Sequence, residues 1–434
     1  MNHNVSQIFG SLGILTKSHS AIDSKRLSDY LLQDQASKLL QHKFRVKYCL
    51  KRKINKSEMV NVCWNESTKK AHFGNVIRCG SVWVCPVCAK KITEKRRLEL
   101  ATINERWKNG ITLFSPVAQS KTFIGPPRFL QEYVKGYTYL ITLTNPHYAQ
   151  DRLSTLREKQ KEAMKKFFSD RKGRYIFDHM LGKRFHITNY EVTYGVNGWH
   201  PHHHILVFSD KYLSIHEFSS IHDVMADHWR SSLASVGIRK VKEEEKYIAC
   251  DFQDGTYADQ YVGKWGIEHE MTKGHVKKGR ETFTPFDLLR LSETDQPIFE
   301  NKLPSKLFQE FAIAFKGARQ LMFSRGLKHA FAIKEVSDEE LADSTLDEAE
   351  FLTHVEDMAF HLLCKYKKRA QYLDCITHDK LNGCLGNGSA QELINSLADY
   401  EILILEELVN TDISVPKIPE VYDVPPVIEN INLF

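Results

Sequence analysis

The sequence has no apolar run that approaches the roughly 20 residues of a membrane span, and its N-terminus lacks the pattern of a signal peptide. It also lacks a phosphate-binding loop of the form GxxxxGKS or GxxxxGKT, so no ATPase or helicase motor is indicated. Nine cysteines among 434 residues do not make a disulfide scaffold, and closely spaced ones indicate metal binding in a reducing compartment. We therefore expect a soluble, cytoplasmic protein with no membrane partner.

Charge is divided unevenly along the chain. Residues 338–434 carry 20 acidic and 6 basic side chains, a net charge of −14, whereas residues 1–337 carry 54 basic and 34 acidic ones, a net charge of +20. A basic body with an acidic tail indicates a polyanionic partner, most simply nucleic acid. The alternative is a basic surface that is only solvated. The tail could also limit non-specific DNA binding by competing for the basic face.

At roughly 150 residues per domain, the length of 434 residues suggests two or three domains, and signals along the chain divide it into four regions. They are a polar, partly helical region (1–57), a cysteine-rich segment with a basic helix (58–108), a region that alternates between strand and helix signals (128–335), and an acidic, mostly helical tail (336–434). Gly and Pro in residues 109–127 predict a connector. The Pro-rich end of the tail is expected to be extended or disordered.

The third region carries a regular order of elements. Strands are predicted at 137–144, 185–194, 199–208 and 247–252, with helices at 151–170 and 215–236. The order β-α-β-β-α-β predicts an α+β fold, a split βαβ (ferredoxin-like) antiparallel sheet with helices on one face. A further helix is expected to begin near Tyr257, and residues 305–333 are expected to be helical.

The strand at 199–208 reads WHPHHHILVF. Side chains alternate along a strand, so His202 and His204 share one face and can bind one divalent metal ion. Either two-residue turn, Val196-Asn197 or Asn197-Gly198, places Glu191 of the preceding strand on the same face, whereas a three-residue turn would reverse it. His186 is a weaker candidate because it stands five residues before Glu191, which places its side chain on the opposite face of the strand. The alternative is a polar strand with solvated or buried histidines.

A tyrosine pair follows downstream. Tyr257, Tyr261 and Lys264 stand at i, i+4 and i+7, which places them on one helical face. A phenol with a pKa near 10 is a weak nucleophile, but a metal, a lysine or desolvation could activate it. On its own, such a pattern more often marks half-buried tyrosines of an amphipathic helix.

The cysteine-rich segment predicts a structural zinc site. Cys79, Cys85 and Cys88 include one CPxC knuckle, Cys63 is the favoured fourth ligand, and His72 and Cys49 are held in reserve. Buried free cysteines are the alternative. The basic run that follows is predicted to contact DNA phosphates through Lys90, Lys91, Lys95, Arg96 and Arg97.

Together these residues resemble the plasmid rolling-circle replication initiators, which are HUH endonucleases named for two histidines that flank one residue. Similarity to the three family motifs lies at residues 140–147 (LITLTNPH), 191–206 (EVTYGVNGWHPHHHIL) and 261–265 (YVGKW), and continues at 270–272, 284–289 and 317–321. Three motifs in the family's order make the resemblance specific, and it covers roughly residues 75–330. It does not extend to the acidic tail.

The resemblance implies a DNA-nicking and DNA-joining enzyme of the HUH fold. His202 and His204, with Glu191, would hold Mg²⁺ or Mn²⁺, and Tyr261 would attack the scissile phosphate to leave a 5′-phosphotyrosyl link and a free 3′-OH. The family often carries a cysteine cluster near its N-terminal side, which supports the zinc. The implied partners are plasmid origin DNA, single-stranded or extruded as a hairpin, and a host helicase and DNA polymerase.

This chain differs from many plasmid initiators at one position. They carry a glutamate four residues before the nucleophile, whereas this chain has Tyr257, as in the two-tyrosine phage arrangement. Tyr257 is the favoured second nucleophile, with Asp254 as the alternative carboxylate for termination. Lys264 would contact phosphate or neutralise developing charge, unless it is merely solvated.

Two other functions remain open. A related HUH transposase or relaxase would use the same chemistry in another setting. A zinc-dependent DNA-binding regulator would use the tyrosines only for packing.

Overall fold

The computed structural model describes residues 24–116, 129–255, 282–343, 349–386 and 388–410. The longer helices are α1 (Ser24–Leu40), α2 (Pro86–Asn109), α3 (Leu153–Ser169), α4 (Ile215–Ser235), α5 (Pro285–Leu291), α6 (Pro304–Ala314), α7 (Asp357–Lys365), α8 (Arg369–Leu381) and α9 (Ser389–Asn410). The strands are β1 (Val60–Asn65), β2 (Lys70–Gly74), β3 (Ile111–Pro116), β4 (Phe129–Val134), β5 (Tyr137–Thr144), β6 (Lys183–Gly195), β7 (Gly198–Ser209), β8 (Cys250–Asp254), β9 (Thr282–Phe283), β10 (Leu321–Phe323) and β11 (Ala349–Val355). Short helical turns lie at Gln41–Lys43, Arg45–Tyr48, Arg171–Arg174, Tyr175–Met180, Glu243–Glu245, Lys246–Ala249, Phe299–Asn301, Leu327–Ala330 and Asp338–Asp343.

The largest sheet has the strand order β10-β6-β7-β5-β8, with β9 paired separately to β6. All of its pairings are antiparallel. Helix α3 lies between β5 and β6 in the chain, and α4 lies between β7 and β8, so the described elements follow the predicted order β-α-β-β-α-β. The expectation of an α+β protein with an antiparallel sheet is confirmed.

The two faces of this sheet are covered differently. Phe167 of α3 and Trp229 of α4 pack against Ile141 and Ile205 on one face. Residues of opposite parity, such as Leu206, pack on the other face against α2 and the turn at Leu327–Ala330. The two connecting helices therefore share one face, as the pattern predicted. The other face carries His202 and His204 of β7 beyond this apolar contact.

The tail and the cysteine-rich segment share a second sheet, ordered β11-β1-β2. Strand β11 was missed in sequence analysis, which predicted a mostly helical tail. It pairs with β1 over residues 349–355 and supplies the neighbour that β1 lacks on its other side. Tyr372 of α8 stacks on Phe73 of β2, with ring centroids 6.1 Å apart. The tail thus contributes a strand and core side chains to the region of the cysteines.

Two predicted elements are wrong in detail. Residues 305–333 are not one helix: α6 ends at Ala314, and after Gly317, at φ +74°, the chain forms the edge strand β10. The strand predicted at 247–252 begins at Cys250, because residues 246–249 form a helical turn. The helix predicted near Tyr257 lies outside the described residues. Within the described part of the chain, no helix is long and apolar enough to cross a membrane.

A buried ion pair joins the tail to the N-terminal helix. Arg369 of α8 is 1% exposed, and its Nη2 lies 2.6 Å from Oδ1 of Asp34 on α1. Its Nη1 donates to the Leu50 carbonyl oxygen at 2.9 Å, beside Cys49. Lys51 also reaches Asp34, at 2.7 Å. A guanidinium can be buried in this way because several acceptors surround it.

We predict that Arg369→Ala lowers the free energy of unfolding by about 3–5 kcal/mol, since it removes one partner of a buried ion pair. Urea unfolding measures the loss. The matched control is Lys69→Ala, which breaks an exposed pair with Glu66 and should cost less than about 1 kcal/mol. Equal losses in the two variants would contradict the structural role given to Arg369.

Candidate metal centres

The β6–β7 hairpin places three polar side chains on one face of the sheet. Gly195 pairs with Gly198, so the turn is Val196-Asn197, the first of the two registers considered. Glu191 then lies opposite His202. His204 lies one pleat further along β7 and is also flanked by Thr142 of β5.

These side chains converge on one point. Oε2 of Glu191 lies 3.1 Å from Nε2 of His202 and 3.5 Å from Nε2 of His204. Ligand atoms at 2.0–2.2 Å from one ion stand about 3 Å apart, so the spacing fits a shared divalent cation. The His202 and His204 side chains are 16% and 19% exposed, so both are partly accessible from solvent.

Three further contacts orient the ligand atoms. Nδ1 of His204 lies 3.1 Å from Oγ1 of Thr142, and Nδ1 of His202 lies 3.4 Å from the His200 carbonyl oxygen. Nδ2 of Asn189 donates to Oε1 of Glu191 at 2.9 Å. Such outer contacts hold the rings with their Nε2 atoms toward the metal position. Sequence analysis missed Thr142 and Asn189, although the pairing of neighbouring strands could have indicated both.

The carboxylate is ionised at neutral pH. Burial disfavours its charge, but hydrogen bonds from His202 and His204 outweigh that effect and lower the pKa of Glu191 to about 2. An ionised carboxylate beside two imidazoles is a donor set that suits Mg²⁺ or Mn²⁺ when waters complete the shell.

The other histidines of this region play different parts. His203 points to the opposite face, where it is buried and stacks on Tyr190 with centroids 4.2 Å apart. His200 stacks on His147 at 4.9 Å, and burial lowers the pKa of His200 to about 4. His186 stacks on Phe168 at 4.7 Å and does not join the ligands.

A second candidate metal centre consists of Cys49, Cys79, Cys85 and Cys88, all buried. The Sγ separations are 3.5 Å for Cys49–Cys88, 3.7 Å for Cys79–Cys88 and 3.8 Å for Cys49–Cys85. A tetrahedron of Zn–S bonds of 2.3 Å has edges of about 3.8 Å, so the four sulfurs fit zinc. Within the cluster, a hydrogen bond with Cys49 is the main cause that holds the pKa of Cys88 well below its usual value, whereas a hydrogen bond with Cys49 raises the pKa of Cys79 and burial raises that of Cys85. One thiolate is thus favoured over the others in the metal-free cluster.

The prediction that Cys63 completes this site is wrong in the structure. Cys63 lies on β1 opposite His72, on the face of the strand that points away from Val62 and Trp64. The backbone N–H of Leu50 bonds to the Ile77 carbonyl oxygen, which brings Cys49 beside the knuckle instead. The Cys79 N–H also donates to Sγ of Cys49, at 3.4 Å.

The predicted DNA-contacting residues of α2 have partners within the chain. Arg96 pairs with Asp338 at 2.8 Å, Arg97 with Glu94 at 2.6 Å and Lys90 with Asp29 at 3.3 Å. Lys91 donates to the Ala342 carbonyl oxygen, and Lys95 also has an interaction. A phosphate contact by these residues would have to replace those bonds.

Three predicted catalytic residues, Tyr257, Tyr261 and Lys264, lie outside the described residues. Asp254 is described: it is the last residue of β8 and pairs with Tyr139. It therefore lies on a strand, and the helical i−7 relation to Tyr261 does not apply at Asp254.

We predict that Cys49→Ser abolishes stoichiometric zinc, whereas Cys63→Ser retains about one zinc per chain. The reason is that only Cys49 of these two joins the sulfur cluster. Elemental analysis of the purified variants by mass spectrometry measures the content. Loss of zinc in Cys63→Ser with retention in Cys49→Ser would overturn this ligand set.

Comparison with known proteins gives one distant relative. A curated protein named "Protein rep", from Streptomyces lividans, is 28% identical to this chain across 49% of it. The match spans 41% of that protein, so the chain covers about two-fifths of the relative's length. No protein-family model matches the sequence. No solved structure matches either.

Proposed function

We propose that this chain is a plasmid rolling-circle replication initiator that nicks and rejoins origin DNA through a tyrosine. The observation that carries the proposal is the convergence of Glu191, His202 and His204 on one face of an antiparallel sheet. A distant relative named as a Rep protein supports the replication role.

The fold supports the same proposal. The trio lies on the sheet face opposite α3 and α4, so neither connecting helix covers it. A site built on strands holds its ligand atoms more precisely than one built on loops. We assign the sheet to the HUH type on this arrangement.

In the proposed reaction, Oη of Tyr261 attacks the scissile phosphorus of one DNA strand. A bond forms between Oη and phosphorus, the bond from phosphorus to the 3′ oxygen breaks, and the 3′ oxygen leaves with a proton as a hydroxyl. The product is a 5′-phosphotyrosyl link, whose energy allows rejoining without ATP. We propose that Lys264 contacts the phosphate and offsets its negative charge.

A divalent cation between Glu191, His202 and His204 would supply Lewis-acid stabilisation of negative charge on the scissile phosphate. The chain's own part is to fix the ligand atoms. Thr142 and Asn189 hold His204 and Glu191 in position through hydrogen bonds of 3.1 and 2.9 Å. Preorganised ligands reduce the reorganisation that the reaction would otherwise require.

Termination needs a second transfer. We assign it to Tyr257, because Asp254 belongs to a strand that pairs with β5. Tyr257 and Tyr261 stand four residues apart in the sequence, and two phenols could alternate as nucleophiles.

The proposed partners follow from the chemistry. The substrate is origin DNA presented as a single strand or an extruded hairpin. Since the sequence has no phosphate-binding loop, a host helicase would unwind the duplex and a host polymerase would extend the 3′-OH. The reaction would take place in the cytoplasm.

We predict a covalent protein–DNA adduct when the zinc-loaded protein meets single-stranded origin DNA and Mn²⁺. Denaturing gel electrophoresis detects the adduct. Tyr261→Phe should remove most of it, and any remainder should vanish in the Tyr257→Phe, Tyr261→Phe double variant. His204→Ala should reduce the rate by at least about 100-fold, in line with loss of a group that stabilises transition-state charge.

The matched control is His203→Phe, which changes the histidine between the two ligands but keeps a ring against Tyr190 on the opposite face. It should leave adduct formation within a few-fold of wild type. Tight DNA binding without an adduct on any origin fragment would favour the zinc-dependent regulator. An adduct with transposon ends but not with the origin would favour a transposase.

A further inference from the structure

A groove of about 980 Å³ lies beside the sheet, at the edge formed by β10. Its walls are the turn that leads to Cys49, the loop between the zinc-site cysteines Cys79 and Cys85, the end of α6 and the chain around β10. The volume is at the upper end of the range for small-molecule pockets. Neither metal centre accounts for this groove.

The groove lies along the β10 edge of the sheet, next to the strand that carries Glu191. Leu321, which lines it, pairs directly with Asn189 of β6, and directly paired residues share a face. Asn189 in turn holds the Glu191 carboxylate. The Tyr190 N–H bonds to the Gln320 carbonyl oxygen at 3.1 Å, so the chain just after Arg319 runs alongside the metal ligand. A strand bound at the trio could therefore continue into the groove.

Positive charge dominates the exposed part of the lining. Lys43, Arg45, Lys316, Arg319 and Arg325 are all exposed and all line the groove. Lys43, Arg319 and Arg325 form no ion pair with any carboxylate of the described residues. Of the three acidic side chains in the lining, Asp338 is already paired with Arg96 and Glu335 lies 3.8 Å from Lys328. This surplus of positive charge would attract a polyanion.

Aromatic side chains lie among these cations. Lys316 Nζ lies 5.4 Å from the centre of the half-buried Phe44 ring, and the half-buried Tyr48 and the buried Trp83 also line the groove. Nε1 of Trp83 donates to the Ala318 carbonyl oxygen at 2.8 Å, which fixes the backbone immediately before Arg319. A cationic groove with aromatic side chains suits unpaired bases, because stacking needs an exposed base face.

We propose that this groove binds the single-stranded DNA flank of the scissile phosphate, with Lys43, Arg319 and Arg325 contacting its phosphates. The inference rests on the proposed function for the identity of the polyanion. It assigns substrate positioning to β10 and to the loop between zinc ligands, neither of which has a part in the nicking chemistry. The zinc site then also serves to hold one wall of the groove.

The test compares two triple variants with the same loss of charge. The groove variant is Lys43→Ala, Arg319→Ala, Arg325→Ala. The control variant is Arg171→Ala, Lys172→Ala, Arg174→Ala, three exposed cations beside the C-terminal end of α3, which packs on the opposite face of the sheet. Fluorescence anisotropy with a labelled 20-nucleotide oligo-dT probe measures affinity at several salt concentrations, on zinc-loaded protein without Mg²⁺ or Mn²⁺.

The groove variant should bind about 10- to 100-fold more weakly, and its slope of log affinity against log salt should fall by about 2, which corresponds to three lost phosphate contacts on a single strand. The control should change affinity less than about 3-fold and keep its slope. Arg319→Lys, Arg325→Lys retains the charge and should bind within a few-fold of wild type, which separates charge from misfolding.

Equal weakening in the two triple variants would overturn the assignment, and so would unchanged binding in the groove variant. Because no catalytic metal is present, the result is independent of nicking. If wild type forms the adduct but the groove variant binds oligo-dT as tightly as wild type, the groove proposal is wrong and the nicking chemistry stands. If the groove variant binds oligo-dT more weakly but wild type forms no adduct, the nicking chemistry is wrong and the groove proposal stands.

Discussion

The register of the β6–β7 hairpin is the constraint on which the rest of the site depends. Because Val196-Asn197 forms the turn, Glu191 stands opposite His202 and on the same face as His204. A shift of one residue would turn Glu191 to the face where His203 packs, and the three ligand atoms could not meet. Asn189 stands two residues before Glu191 on the same strand, so it lies on the same face and reaches the carboxylate. The two-residue turn thus sets which candidate ligands meet, while the pairing of β10 with β6 places the groove beside them.

The acidic tail organises the region that lies next to this sheet. Arg369 of the tail is buried against Asp34 and the Leu50 carbonyl oxygen, next to Cys49 of the four-cysteine cluster. Strand β11 completes the sheet that holds β1 and β2. The acidic tail therefore supports the cysteine centre structurally. The loop between Cys79 and Cys85 is also a wall of the basic groove, so the tail, the cysteine cluster and the groove form a connected series of contacts.

Sequence reasoning succeeded where the interactions are local and periodic. Alternation along WHPHHHILV and a short turn were enough to predict that Glu191, His202 and His204 share a face, because strand geometry leaves two orientations only. It failed where the partner is distant in the chain. Cys49 stands 30 residues before Cys79, and backbone bonds between the two segments, such as that of Leu50 with Ile77, bring it to the knuckle. Strands β10 and β11 are short or lie in helix-favouring composition, and they form because β6 and β1 each offer an open edge. The cations of α2 were assigned to DNA on composition, whereas the fold gives them carboxylate and carbonyl partners.

The most direct test of the account is a crystal of the zinc-loaded protein grown with Mn²⁺ and measured at wavelengths that distinguish the two metals by anomalous scattering. The account predicts a manganese peak at about 2.0–2.3 Å from Oε2 of Glu191 and from Nε2 of His202 and His204. It also predicts a zinc peak among the sulfurs of Cys49, Cys79, Cys85 and Cys88. A fully ordered hairpin in the register described, with no manganese between these three side chains at saturating metal, would contradict the central claim.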